Sequence, residues 1–562
     1  MRLMLLIAAT AAAAPLAAQS PTREDVLRAL KRAVGFYNEK VSPFGAYHFA
    51  YTEDLSYGRS EAADSPTRPE VQREGTPSAG DAFLRAWDAT GDRYYLEAAR
   101  RVAYAYVAGQ LCSGGWDYWI EFDPQKRKQI AYREGGNCAG SGVTNLDDNV
   151  TQSALRFLMR VDRELNFEDN RIHEAVTYAL DCLIKAQYPN GAWPQRYREF
   201  PDPAKFPVKR ASYPPSWSKK WPGTNYQSHY TFNDNTVIDM IDAMLEAARI
   251  YKQPKYLASA KKGGDFILLA QMPDPQPAWA QQYDANMHPA WARVFEPPSV
   301  TGGESQSILR MLLVLYAETG DPKYLEPAPR AVNYLKASAL KPEQLPPSPR
   351  RGARETGAGA DDLGNWRRES PLMLARFYEL KTNRPLYITK GTRVSVKGLG
   401  SKLIDGYEIS YSPDSVITHY GVVTSGAALP EIEAAHQRML TVDPASLRRP
   451  DRLRGLSPWA ERPARPRPAA GLAERAKAAM DALDARGAWV ETGVIGKPDR
   501  LLELFAARDM VVTIGGRAIP LQENETLQVF QGPQPPRERI IRTPTFHANV
   551  ALLTEYLQAL GR

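Results

Sequence analysis

Two short polar runs stand where helical apolar periodicity begins. Asn145-Leu146-Asp147-Asp148-Asn149 precedes a helix over Leu155 to Leu165, and Tyr230-Thr231-Phe232-Asn233-Asp234-Asn235 precedes one over Val237 to Tyr251. Asp and Asn at such places cap helix N-termini. One carboxylate suffices for a cap, and two like Asp-Asn pairs exceed that need. Their oxygens also suit a hard cation such as calcium, which makes Asp148, Asn149 and Asp234 candidate metal ligands beside the capping reading. A third run, Trp279-Ala280-Gln281-Gln282-Tyr283-Asp284 with Trp291-Ala292-Arg293-Val294-Phe295-Glu296 after it, is dense in Trp, Gln and Arg. Aromatic faces stack on sugar rings and Arg pairs bidentately with carboxylates, so this composition suits a groove for an acidic sugar. A structural pair between Arg293 and Glu296 is the other reading. The sequence has no Gly-x-Ser-x-Gly elbow, Walker loop or dinucleotide fingerprint, and its 7 His lack ligand spacing. Acyl transfer, phosphoryl transfer and zinc hydrolysis are therefore unsupported.

The elements that must position these residues repeat along the chain. Ala86 to Ala99, Ala247 to Ala260 and Tyr316 to Ala328 share one pattern: a helix end, a break at Gly91-Asp92, Gln253-Pro254 or Gly320-Asp321, and a new helix opened by Tyr-Leu or its equivalent. The second helix of a pair tends to run into a Trp loop: Gln110 then Gly114-Gly115-Trp116, Gln187 then Asn190-Gly191-Ala192-Trp193, Gln271 then Pro277-Ala278-Trp279. Helical hairpins repeated in this way make an α/α toroid or an open solenoid. The toroid brings loops distant in sequence to one groove, and the expected fold is mainly α with short strands and a small C-terminal extension. Pro201 to Tyr230 reads as a loop excursion over the groove, and Leu386 to Val423 as short strands.

The apolar run Leu3 to Ala14 behind Arg2, with small residues up to Ala18, reads as a secretory signal peptide. No later stretch is long enough to span a bilayer, which points to a soluble periplasmic or secreted protein. Of Cys112, Cys138 and Cys182, one disulfide is the most that can form. The formal charge is +7, and much of it lies in a Pro-interleaved arginine stretch from Arg448 to Arg467 that reads as a solvated linker; export argues against nucleic acid. With 43% apolar residues the 562-residue chain can bury a large core. The expected division is residues 1–18 signal peptide, 19–435 catalytic toroid, 436–470 linker and 471–562 an extension packed on the toroid, the whole monomeric.

Asn190-Gly191-Ala192-Trp193-Pro194-Gln195, Thr231-Phe232-Asn233-Asp234, Trp291 to Glu296 with Glu304-Ser305, and Ala375-Arg376-Phe377-Tyr378-Glu379 with Thr382-Asn383-Arg384-Pro385 resemble, in order and spacing, the motifs of the pectate lyases of polysaccharide lyase family 10. The resemblance runs from about Gly80 to Gly391. It implies an α/α toroid whose groove binds polygalacturonate with calcium and cleaves it by anti β-elimination to unsaturated products. It assigns Arg293 to the C5 proton, Arg376 to a substrate carboxylate, and Asp148, Asn149 and Asp234 to calcium. Trp193, Gln195, Trp279, Gln281 and Glu296 are expected to bind substrate.

Two other readings compete with it. An α/α glycoside hydrolase would draw two carboxylates from Asp148, Asp234, Glu296 and Glu304. A non-catalytic glycan-binding protein would use the C-terminal region to dock. Every candidate catalytic residue lies before Leu386, so truncation after Ala435 is expected to leave a folded, less stable lyase.

Overall fold

A computed structural model describes residues 20–61, 65–346, 372–389, 393–396, 400–403, 408–413, 423–448, 469–495, 501–505, 511–514, 517–520, 526–530 and 536–561. The signal-peptide segment and most of the expected linker lie outside the described residues.

The fold is an α/α toroid. Its hairpins are α2 (Thr76–Thr90) with α3 (Arg93–Gly109), α4 (Val150–Glu164) with α5 (Asn170–Lys185), α6 (Thr236–Tyr251) with α7 (Pro254–Ala270), and α8 (Gly302–Thr319) with α9 (Ala328–Ala337). The first helix of each hairpin is buried nearly all round; the second buries one face. This makes α2, α4, α6 and α8 an inner layer and their partners an outer one. The break between paired helices carries left-handed residues in all four cases: Gly91 (φ 68°), Asn166 (φ 54°) with Phe167 (φ 60°), Lys252 (φ 53°) and Gly320 (φ 71°).

The Trp loops repeat with the same bonds. Trp116, Trp193 and Trp279 are each fully buried, and each indole N–H donates to a carbonyl of the helix just left: Tyr106 at 2.8 Å, Leu183 at 2.8 Å and Ile267 at 2.9 Å. The glutamines before them cross to the next outer element: Gln110 to Ala175 O, Gln187 to Ser259 O and Gln271 to Pro327 O. Gly191 (φ 100°) allows the closest approach, since a Cβ there would lie 1.9 Å from the Lys262 carbonyl oxygen.

Inner helices also meet through buried charge. Arg156 on α4 reaches Asp242 at 2.9 Å and Glu246 at 3.3 Å on α6, with all three side chains at most 2% exposed. Desolvating these ions offsets their mutual attraction, so the cluster adds little net stability.

The chain ends belong to this core. The strand Glu538–Arg542 lies between Ala50–Thr52 and Val490–Gly493 in one sheet. Helix α12 (Thr543–Ala559) packs on α2, on α1 (Arg23–Phe36) and on α11 (Ala469–Asp481). Its Val550, Leu553, Tyr556 and Leu557 are at most 1% exposed and join the same apolar cluster as α2 to α9. Helix α10 (Ala428–Met439) runs through the expected boundary at residue 435. Truncation there would remove Val550, Leu553, Tyr556 and Leu557 from that shared cluster. Among the described residues no helix is long and apolar enough to cross a membrane.

Candidate active site

The two polar runs fold into the same turn. Each follows a two-residue strand, Thr144–Asn145 or Tyr230–Thr231, and enters its inner helix through two consecutive left-handed residues. These are Asp148 (φ 49°) and Asn149 (φ 58°) in one, Asp234 (φ 48°) and Asn235 (φ 60°) in the other. Asp and Asn tolerate this conformation because their short side chains bond locally. Neither Asn149 nor Asn235 caps its helix through its side chain, so capping does not account for the runs. Capping aspartates do occur elsewhere, at Asp92 and Asp169.

A second short strand fixes each turn from the side. Asn145 pairs with Arg196 and Thr231 with Gln282, while Gln195 O accepts from Leu146 N at 2.9 Å and Gln281 O from Phe232 N at 2.8 Å. Thr301 pairs with Phe377 in the same way, with Gly302 N donating to Arg376 O at 3.3 Å. Gln195, Gln281 and Arg376 are thus equivalent positions in three successive copies.

The two turns place Asp147, Asp148 and Asp234 together, with one carboxylate oxygen of each within 4.8 Å of the others. Asp147 is buried and the other two are exposed. Tyr118 Oη donates to Asp148 Oδ2 at 2.9 Å, Gln72 Nε2 to the same oxygen at 3.0 Å, and Arg196 Nη2 to Asp147 Oδ2 at 3.2 Å. Desolvation raises the pKa of both Asp147 and Asp234, and the negative neighbours push in the same direction; Arg293 opposes both shifts. Asn149 sits beside the triangle, its Oδ1 accepting from Arg156 Nη1 at 3.2 Å.

Arg293 Nη2 is 3.9 Å from Asp234 Oδ2. The guanidinium is held in a fork by Glu296, Nε to Oε2 at 2.9 Å and Nη2 to Oε1 at 2.6 Å, and Glu296 is itself buried and accepts from Gln281 Nε2 at 3.1 Å. Arg376 Nη2 donates to Asn233 Oδ1 at 3.4 Å, an oxygen that Gln281 also contacts. Arg293 and Arg376 therefore flank the acid triangle on the Asp234 side.

The structure separates the expected site residues into two groups. Asp148, Asp234, Arg293 and Arg376 converge, with Asn149 adjacent. Trp193 and Trp279 have no exposed surface and leave no ring face for a sugar; they anchor their loops. Gln195, Gln281 and Glu296, at most 2% exposed, are buried behind the turns. Glu296 in particular orients Arg293. Asp147, Arg196, Tyr118 and Gln72 were not among the expected residues. For Asp147 the signal was present in the doubled Asp147-Asp148; the other three reach the site only through strand pairing and tertiary packing.

The model of the family described as pectic acid lyase matches residues 110–408. Among solved structures, the family 10 polysaccharide lyase from Cellvibrio cellulosa is 20% identical, with 65% of this chain and 97% of that chain covered and a TM-score of 0.39. A mutant of that enzyme in complex with trigalacturonic acid is 20% identical, with coverage of 64% and 98% and a TM-score of 0.40. A D-mannose isomerase is 14% identical, with coverage of 57% and 73% and a TM-score of 0.36. No curated protein matches the chain.

Proposed function

This chain belongs to the pectic acid lyase family and is a polysaccharide lyase, and from that premise we propose that it cleaves polygalacturonate by calcium-dependent anti β-elimination. The observation that carries the reading is the convergence of Asp147, Asp148 and Asp234 with Arg293 and Arg376. Three carboxylates whose oxygens lie within 4.8 Å of one another fit a hard divalent cation, and the pKa of two of them is raised first by desolvation and then by mutual repulsion, both of which such a cation would offset. Asp148 and Asp234, with Asp147 beside them and Asn149 as a further oxygen donor, would hold it. Bound there, calcium would draw negative charge from the uronate carboxyl and make the neighbouring C5 proton more acidic.

The protein's own groups do the rest. Arg376 pairs with the uronate carboxylate and stabilises charge that builds on it as the C5–H bond breaks. Arg293 faces the C5 proton, in one plane because Glu296 bonds both ends of its fork. As Arg293, having first lost a proton, takes the proton from C5, the C5–H electron pair forms the C4–C5 double bond and the bond from C4 to the bridging oxygen breaks. That oxygen then takes a proton from solvent. A guanidinium must give up one proton before accepting another, so the rate rises toward alkaline pH.

Hydrolysis with Glu296 as one of the paired carboxylates is disfavoured because Glu296 is buried and committed to Arg293. Export agrees with the disulfide between Cys112 and Cys138, since such bonds persist in oxidising compartments; Cys182 is free and buried. Mass analysis of oligogalacturonide products tests the reaction type. Elimination gives one product lacking the elements of water relative to its hydrolytic counterpart, and finding only hydrolytic products would refute the proposal.

A further inference from the structure

One cation at the site has no part in the chemistry derived above. Arg196 stands across the two-strand ladder from Asn145, and its Nη2 donates to Asp147 Oδ2 at 3.2 Å and to Tyr118 Oη at 3.1 Å. The guanidinium also lies 5.2 Å from the centre of the Tyr118 ring. Its other terminal nitrogen, Nη1, has no acceptor among the described residues and is not one of the buried atoms lacking a partner; the side chain is 26% exposed. The equivalent of Arg196 at the second turn is Gln282, an uncharged residue that donates to Ala290 O at 2.6 Å.

A cation on Asp147 competes with any divalent ion for the same carboxylate. If Arg196 served only to neutralise Asp147, it would weaken the metal site without return, and a neutral donor such as Gln282 would hold the strand pair as well. An anion arriving on its open edge offsets that penalty. A polyuronate chain presents one carboxylate on every sugar, so a second one is at hand whenever Arg376 holds the first. We propose that Arg196 binds a uronate carboxylate on the Asp147 side of the acid triangle, while Arg376 binds one on the Asn233 side. The pair then requires two unesterified sugars spanning the site. This inference rests on the proposed reading of the function.

The test compares the wild-type chain with Arg196→Gln and Arg196→Lys, in calcium, on unesterified polygalacturonate and on partly methyl-esterified pectin, with calcium affinity measured by calorimetry in the absence of substrate. The account expects Arg196→Gln to raise KM for the unesterified polymer about tenfold or more. The preference for that polymer over the ester narrows, and calcium affinity stays the same or tightens. Arg196→Lys keeps the charge but not the fork and falls between the two; if the Gln variant fails to fold, the Lys variant decides. An unchanged KM with weaker calcium binding would overturn the inference and leave Arg196 as a prop for Asp147. Equal increases in KM on both polymers would also overturn it. If the wild-type chain forms no unsaturated product on either polymer, the functional reading fails and takes this inference with it.

Discussion

The turn before α4 and the turn before α6 have one backbone and two chemistries. Asp148 and Asp234 share a left-handed conformation, as do Asn149 and Asn235. The residue before each pair differs: Asp147 is charged and tied to Arg196, while Asn233 is neutral and presents its amide oxygen to Gln281 and Arg376. The repeat thus supplies the shape twice, and the side chains divide the labour. Under the proposed function, one copy would add charge for a cation and the other would leave room for Arg376 to reach substrate.

Removing a carboxylate from the shared position should do the most damage. Asp234→Ala or Asp148→Ala is expected to lower kcat/KM by on the order of a thousandfold and to weaken calcium binding, read from initial rates across a calcium titration. Equal loss from both would confirm that the turns act as a pair, and loss from one alone would break the comparison. Next comes Glu296→Gln, which leaves Arg293 without a charged fork. A misplaced catalytic group costs about a hundredfold in kcat/KM, and the far-ultraviolet spectrum should stay unchanged because the substitution conserves shape.

Making the first turn resemble the second, by Asp147→Asn, should weaken calcium binding by about tenfold, measurable by calorimetry. The smallest effect concerns pH. Asp147 and Asp234 have raised pKa values in the folded chain, so the folded state without calcium holds protons that the unfolded chain has released. Calcium-free stability should therefore fall as pH rises through and above the ordinary carboxylate range, since the folded state binds more protons there. Added calcium should cancel the decline in melting temperature.

How much of this was legible in the sequence follows from what each feature depends on. The hairpins were, because Gly91, Gly320 and the Tyr-Leu starts act locally, and so were the two Asp-Asn runs. The roles of Trp193 and Trp279 were not. An aromatic in a loop near a groove has the same one-letter signature whether its ring faces sugar or core, and the indole bonds to Leu183 and Ile267 settle it only in three dimensions. Arg196 was hidden for a related reason: nothing in Pro194-Gln195-Arg196-Tyr197 says which strand it pairs with. The apolar periodicity of the C-terminal helix at Leu553, Tyr556 and Leu557 is a local signal for a buried face. That its partners would be α1 and α2, at the other end of the chain, depends on ring closure, which no local pattern encodes.

The central claim is that the acid triangle and its two arginines carry out a calcium-dependent elimination. Its most direct test follows the ultraviolet absorbance of the conjugated unsaturated uronide while the purified chain acts on polygalacturonate with calcium, then with excess chelator, then with calcium restored. The account predicts a steady rise that stops on chelation and resumes on restoration. Release of reducing ends without any rise in absorbance, or a rise indifferent to chelator, would contradict it.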